Sequence, residues 1–156
     1  MLKRAAVSLL KERAPHLWHI AKYQQYRFTS VGEPEIRAIH RLASKDRTAL
    51  DIGVHLGFYS RHLAAHCSSV IGFEPNPASA ALARKSLPRN VYIEEVAVSD
   101  MAGKATLRIP KTGGGGADAL GTLENANMLG GVEFQEVSVK TVRLDDYDLP
   151  SVCIVK

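Results

Sequence analysis

The sequence predicts an α/β fold built on a parallel sheet, and three observations predict it. The run Thr48 to Ile52 is apolar apart from Thr48 and Asp51 and passes through Gly53 and Gly57 straight into a helical pattern. That is the order of a strand, a tight turn and a helix N-terminus. A second apolar run, Ser69 to Phe73, closes on Glu74, 23 residues past Asp51. An acid about 20 residues beyond a glycine turn, at the end of the second strand, is placed to read the ribose diol of a nucleoside-containing cofactor. A third run, Val91 to Val98, comes after another helical segment, so strands and helices alternate and right-handed crossovers make the sheet parallel.

Composition agrees with that fold and removes several others. The chain has 156 residues, 46% hydrophobic and 23% charged, which is the length of one domain with enough apolar material for a core. No run approaches the roughly 18 apolar residues that cross a bilayer, so no integral membrane segment is expected. Met1 to Leu10 has the basic start of an export signal, but Lys11-Glu12-Arg13 cuts its apolar core short. A helix and a cytoplasmic location are expected instead. Two cysteines make no disulfide framework. With Cys67 ahead of the second strand, Cys153 in a late strand and the first strand between them, strand spacing sets their backbones about 10 Å apart. A disulfide spans about 7 Å between Cα atoms, so both are expected to be reduced and structural.

The net charge of +4 is unevenly placed. Residues 1–47 hold ten Lys and Arg against four Asp and Glu, giving +6, and the remainder hold ten against twelve, giving −2. The basic segment is either a solvated helical lead-in or a surface for an anionic partner such as a lipid headgroup or charged glycan, with nucleic acid least favoured.

Taken in order, residues 2–13 read as a short basic helix that Pro15 interrupts. An aromatic stretch comes next, with Trp18, Tyr23, Tyr26 and Phe28, suited to packing against the main domain. The boundary is expected near Gly32, giving a basic helical lead-in over 1–33 and the cofactor-binding domain over 34–156. Pro34 opens a helix whose Ile36, Ile39 and Leu42 share one buried face. The helix after the glycine turn runs from about Phe58 to His66. Its His62 and His66 have a metal-capable spacing but no accompanying glutamate, so no metal is assigned. Asn76 is a candidate N-cap with Pro77 as the first helical residue. Ala80 to Ala83 and Leu87 supply that helix's packing side. After Asp100 the pattern changes: Ala105–Ile109 and Val132–Val142 alternate as antiparallel strands. Thr112 to Ala117, with its four consecutive glycines, forms a loop between them, read as a flap beside the cofactor site. Leu144 to Tyr147 is a turn, and Ser151 to Lys156 a final strand.

Four blocks now stand in order: Asp51-Ile52-Gly53, Phe73-Glu74-Pro75-Asn76-Pro77, Ala97-Val98-Ser99-Asp100 and Arg143-Leu144-Asp145-Asp146. Through them the chain resembles, from about Ile36 to Lys156, the FkbM-like methyltransferases, class I S-adenosylmethionine-dependent enzymes mostly described as O-methyltransferases. The resemblance implies a Rossmann-like class I methyltransferase sheet with strand order 3-2-1-4, and S-adenosylmethionine as cofactor. It implies that Asp51, Gly53 and Gly57 form the loop around the methionine part, with His55 and the helix start Phe58, Tyr59 and Ser60 beside it. Glu74, with Pro75, resembles the ribose-binding acid, and Ala97 and Val98 the stretch along the adenine. The family usually has Asn where this sequence has His55; imidazole still donates a hydrogen bond but titrates near neutrality. In the family the fourth strand runs on into Ile-Asp-Val-Glu-Gly, whereas the sequence stops at Lys156. The fold is therefore expected to be cut off after its fourth parallel strand. No catalytic residue is assigned, and residues 1–156 alone are expected to transfer methyl groups weakly or not at all.

The expected activity is methyl transfer to a hydroxyl of a sugar, glycolipid or other small metabolite. A nicotinamide-dependent oxidoreductase shares the strand, turn and ribose acid, but the turn Gly53-Val54-His55-Leu56-Gly57 is not G-x-G-x-x-G. A non-catalytic cofactor-binding fragment is the third reading.

Overall fold

The computed structural model describes residues 34–111, 121–123 and 133–156, with isolated positions 13, 14, 17 and 21. The lead-in expected over 1–33 and the glycine loop Thr112–Ala117 lie otherwise outside the described residues. In chain order come a 3-10 turn (Pro34–Ala38), α1 (Ile39–Leu42), β1 (Thr48–Ile52), α2 (Phe58–His66), β2 (Ser69–Phe73) and α3 (Pro77–Ser86). After them come β3 (Val91–Glu94), β4 (Ala97–Val98), β5 (Gly103–Pro110), β6 (Phe134–Val142), a second 3-10 turn (Leu144–Asp146) and β7 (Val152–Val155).

Four strands form a parallel sheet in the order β3-β2-β1-β7. This is the expected Rossmann-like arrangement, with the first strand in the middle. A strand buried on both faces carries alternate residues to two separate cores. Ala49 and Val70 point to the face covered by α1 and α2, where they meet Ile39, Leu63 and Cys67. Leu50 and Phe73 point to the other face, where Val96, Val142, Leu144, Tyr147 and Leu149 cover them. Phe73 meets Tyr147 edge to face, with ring centroids 5.5 Å apart. The second sheet has order β4-β6-β5, antiparallel between β5 and β6, around Ala97, Leu107 and Val139.

Four details depart from expectation. The run Val91–Val98 is not one strand. Glu94 and Glu95 are both exposed and Val96 and Ala97 both buried, which breaks the alternation of a single strand. Arg84 of α3 donates to the Ile93 carbonyl and pairs with Glu95 at 2.8 Å, holding the bend, and Ala97 then joins β6 instead. Leu42 is 64% exposed rather than sharing the face of Ile39. The 3-10 turn stacks Ile36 under Ile39, but three residues of α-helix leave Leu42 about 60° out of phase. On α3, Ala80 and Ala83 are buried but Ala81 is exposed.

The cysteines depart most from expectation: both are free, yet their sulfurs lie 3.7 Å apart. The strand-spacing argument fails because Cys67 is not on the ladder. It ends α2, and the turn after it runs beneath β1, where Ser68 donates its N–H to the Arg47 carbonyl at 3.0 Å.

Candidate cofactor site

The end of β1 and the end of β2 are tied together by backbone hydrogen bonds. Gly53 and Val54 both donate to the Phe73 carbonyl, at 2.9 and 3.2 Å. Gly53 has φ +80°, and nothing lies within 4 Å of where a Cβ would stand. The turn therefore needs glycine for its backbone, and the space beside it is open. His55 also has positive φ, at 48°. This is the left-handed region, where Asn and His are the best tolerated residues after glycine. That supplies a backbone reason for an Asn or a His at this position. The N–H of His55 donates to Glu74 Oε2 at 2.6 Å.

Glu74 comes directly after β2 and is 6% exposed. Its other oxygen, Oε1, accepts the N–H of Asn76 at 2.8 Å. Two backbone donors thus fix both carboxylate oxygens while leaving lone pairs on each for a ligand. Burial pushes its pKa up, the two N–H donors pull it down, and the charge of Asp51 pushes it up again. Asn76 also caps α3, accepting the N–H of Ala78 at 3.0 Å on its side chain, with Pro77 in the first turn. One residue therefore orients the acid and starts the helix.

These groups face a cleft of about 150 Å³ lined by Gly53, His55, Glu74, Pro75 and Asn76 from the parallel sheet's edge and by Leu107 and Gly121 from the second sheet. Gly121 stands there because Thr122 and Arg108 exchange backbone hydrogen bonds of 2.9 and 3.0 Å, pinning the segment to β5. Of the residues expected at the site, the fold brings Gly53, His55, Glu74 and Pro75 to one wall of this cleft.

The others lie elsewhere. Asp51 has no solvent exposure. Ser60, on the first turn of α2, donates to its Oδ2 at 2.5 Å. The other oxygen, Oδ1, has no hydrogen-bond partner, and the Lys156 ammonium stands 3.7 Å away, over the Tyr59 ring at 4.7 Å from its centroid. Burial raises the pKa of Asp51, opposed by the hydrogen bond from Ser60 and the charge of Lys156. Gly57, with φ +72°, precedes α2, and a Cβ there would meet Leu87 Cδ1 at 2.7 Å, so close packing is a second reason for glycine. Phe58 and Tyr59 are half-buried beside it. Ala97 is buried in the core of the second sheet, and Val98 packs against the cluster of Leu50 and Phe73.

Sequence reasoning missed Asn76, Leu107 and Gly121 as cleft residues, and Lys156 as the counter-ion of Asp51. Asn76 was visible as a helix cap. Leu107 and Gly121 carry no local signal, since only the pairing of a distant segment brings them to the cleft. Among the described residues no group of three His, Cys, Asp or Glu side chains is placed to hold a metal ion, and no helix is long and apolar enough to cross a membrane.

A parallel sheet with a glycine turn after its first strand and a buried acid after its second defines a Rossmann-like α/β domain. The chain belongs to the methyltransferase FkbM domain family, whose family model matches residues 51–154. A solved structure described as a candidate S-adenosylmethionine dependent methyltransferase from Listeria monocytogenes is similar, at 27% identity and a TM-score of 0.36. That match covers 44% of this chain and 31% of the other. No curated protein matches.

Proposed function

We propose that this chain binds S-adenosylmethionine in the cleft between the ends of β1 and β2 and serves methyl transfer to a hydroxyl of a sugar, glycolipid or small metabolite. The observation that carries the reading is Glu74: a buried carboxylate, held by two backbone N–H groups, facing an open cleft beside Gly53. A ribose diol presents two O–H donors, and this carboxylate has the free lone pairs to accept them. The open space at Gly53 admits a ligand close to the backbone. Asp51, sealed behind the turn, anchors Ser60 and thereby the start of α2 rather than meeting solvent. The family resemblance implies that the backbone of Ala97 and Val98, whose side chains pack into the clusters beside it, lies along the adenine.

S-adenosylmethionine supplies a methyl group activated by a sulfonium. The chain's own residues bind and orient it, and orientation is the larger part of what such a transfer needs. None of the described residues is assigned as a base.

Glu74→Ala removes charge-assisted hydrogen bonds worth roughly 1.5–3 kcal/mol each. The expected result is a loss of at least about tenfold in affinity for S-adenosylmethionine or S-adenosylhomocysteine by calorimetry. Unchanged affinity in a folded variant removes Glu74 from the site. Titration with nicotinamide dinucleotides in place of the adenosyl ligands tests the oxidoreductase reading, which the departure from G-x-G-x-x-G disfavours.

For residues 1–33 we propose a basic helical lead-in outside the cofactor domain, with an anionic surface for residues 1–47 as the second reading. The charge of +6 supports this reading. The cytoplasm is the proposed location.

A further inference from the structure

Cys67 and Cys153 are the chain's two cysteines, and the proposed function uses neither. Cys67 is buried where α2 ends, and Cys153 is half-buried on β7. Their sulfurs stand 3.7 Å apart. The Cys153 thiol donates to the Thr48 carbonyl at 3.4 Å, so the Cys67 thiol is the one placed to donate to the Cys153 sulfur. The pair sits among Ile39, Ala49, Leu63 and Val70, and burial pushes the Cys67 thiol up. At rest burial keeps the Cys67 thiol protonated and little reactive. A disulfide needs a sulfur separation of about 2.05 Å. The sulfurs must approach by less than about 2 Å, on the scale of side-chain rotation.

We propose that Cys67 and Cys153 form an oxidative modification site, converted by hydrogen peroxide into an intramolecular disulfide that staples β7 to the end of α2. Cys153 is the less buried residue and reacts first. Its thiolate attacks the peroxide, an S–O bond forms, the O–O bond breaks, and the departing hydroxide takes up a proton and leaves as water. Cys67, as thiolate, then attacks the Cys153 sulfur. The S–S bond forms, the S–O bond breaks, and hydroxide leaves as a second water with the proton that Cys67 released. Two electrons pass from the thiol pair to the peroxide, which is the whole balance of the step.

The staple joins residues 86 apart in sequence. Closing so long a loop removes much freedom from the unfolded chain. It also tethers a strand whose sheet pairing among the described residues is to β1 alone. Because Lys156 adjoins β7, the same strand carries the counter-ion of Asp51. The inference does not depend on which cofactor the cleft takes.

The test treats the full chain with hydrogen peroxide, alkylates free thiols under denaturing conditions and maps the peptides without reduction. The expected result is a monomer with a Cys67–Cys153 link and a thermal midpoint higher by at least about 4 °C, both reversed by dithiothreitol. Over-oxidised Cys153 beside an alkylated Cys67, or disulfides between chains only, overturns the proposal. A linked monomer with an unchanged midpoint overturns the staple. In folded Cys67→Ser, peroxide should leave a sulfenic acid on Cys153 that a dimedone reagent captures. No capture there overturns Cys153 as the first sulfur to react.

Discussion

Asp51 and Glu74 both have raised pKa values, chiefly through burial, yet they do different things. Glu74 faces the cleft and has its oxygens fixed by backbone donors, so removing it is expected to act on affinity. Asp51 is sealed in and acts on stability. A carboxyl whose folded pKa lies above its unfolded value, about 4, favours the folded state while protonated. Its contribution is complete below about pH 4 and is lost as pH rises through the raised folded value. Asp51→Asn keeps an oxygen to accept from Ser60 and removes the buried charge. The stability of this variant minus that of the wild type should therefore grow as pH rises from about 4 toward neutrality and level off above the folded pKa. Urea unfolding of both proteins across that range measures it, and a difference that shrinks with rising pH would contradict the account. The Lys156 ammonium opposes this gain, because Asp51→Asn leaves it without its partner 3.7 Å away.

At the scale of elements, the site depends on how β2 meets the turn that leaves β1. Gly72 lies opposite Asp51 in the ladder, and a Cβ there would meet Val54 Cγ2 at 2.5 Å and Ile93 Cδ1 at 2.9 Å. The glycine lets Val54 fold down over the sheet, which sets the course of the turn through Gly53 and His55. Gly72→Ala should cost about 1–3 kcal/mol of stability by overpacking, read from the urea midpoint. The cap of α3 gives a contrasting case. Asn76→Ala should cost about 1 kcal/mol of stability, and Asn76→Ser should restore most of it. The N–H that Asn76 gives to Glu74 belongs to the backbone, so cofactor affinity should fall far less than in Glu74→Ala. An equal fall in both would mean that the Asn76 side chain itself meets the ligand.

For the whole molecule, the prediction concerns charge. A segment carrying +6 over residues 1–47 beside a remainder of −2 gives the chain one basic end. If it meets an anionic surface, co-sedimentation with vesicles containing phosphatidylserine should weaken steeply between about 50 and 200 mM salt, as screening shortens the reach of the field. A chain beginning near Gly32 should lose that binding while keeping its affinity for the adenosyl ligand. Retained vesicle binding would place the anionic contact on the main domain instead.

The strand, turn and helix around Asp51 were legible because each has a local cause. A short, largely apolar run, two glycines that take positive φ, and the Asn76-Pro77 helix start act within a few residues of themselves. The parallel sheet was legible as well, since alternating strands and helices leave few ways to cross over, while its strand order came from the family resemblance. What no local pattern contained were contacts between residues far apart in sequence. The division of Val91–Val98 between two sheets depends on Arg84 holding Glu95 and on β6 accepting Ala97. Leu107 and Gly121 reach the cleft only through pairing across the second sheet. Strand spacing governs residues on the ladder, and Cys67 leaves the ladder at the end of α2, so its sulfur comes to 3.7 Å from a cysteine expected to be out of reach. The sequence by itself determined most of the elements and the acid that ends β2, because helix, strand and turn preferences are local. Tertiary packing decided which side chains share the cleft and which two sulfurs meet, because those contacts arise only when the whole chain closes.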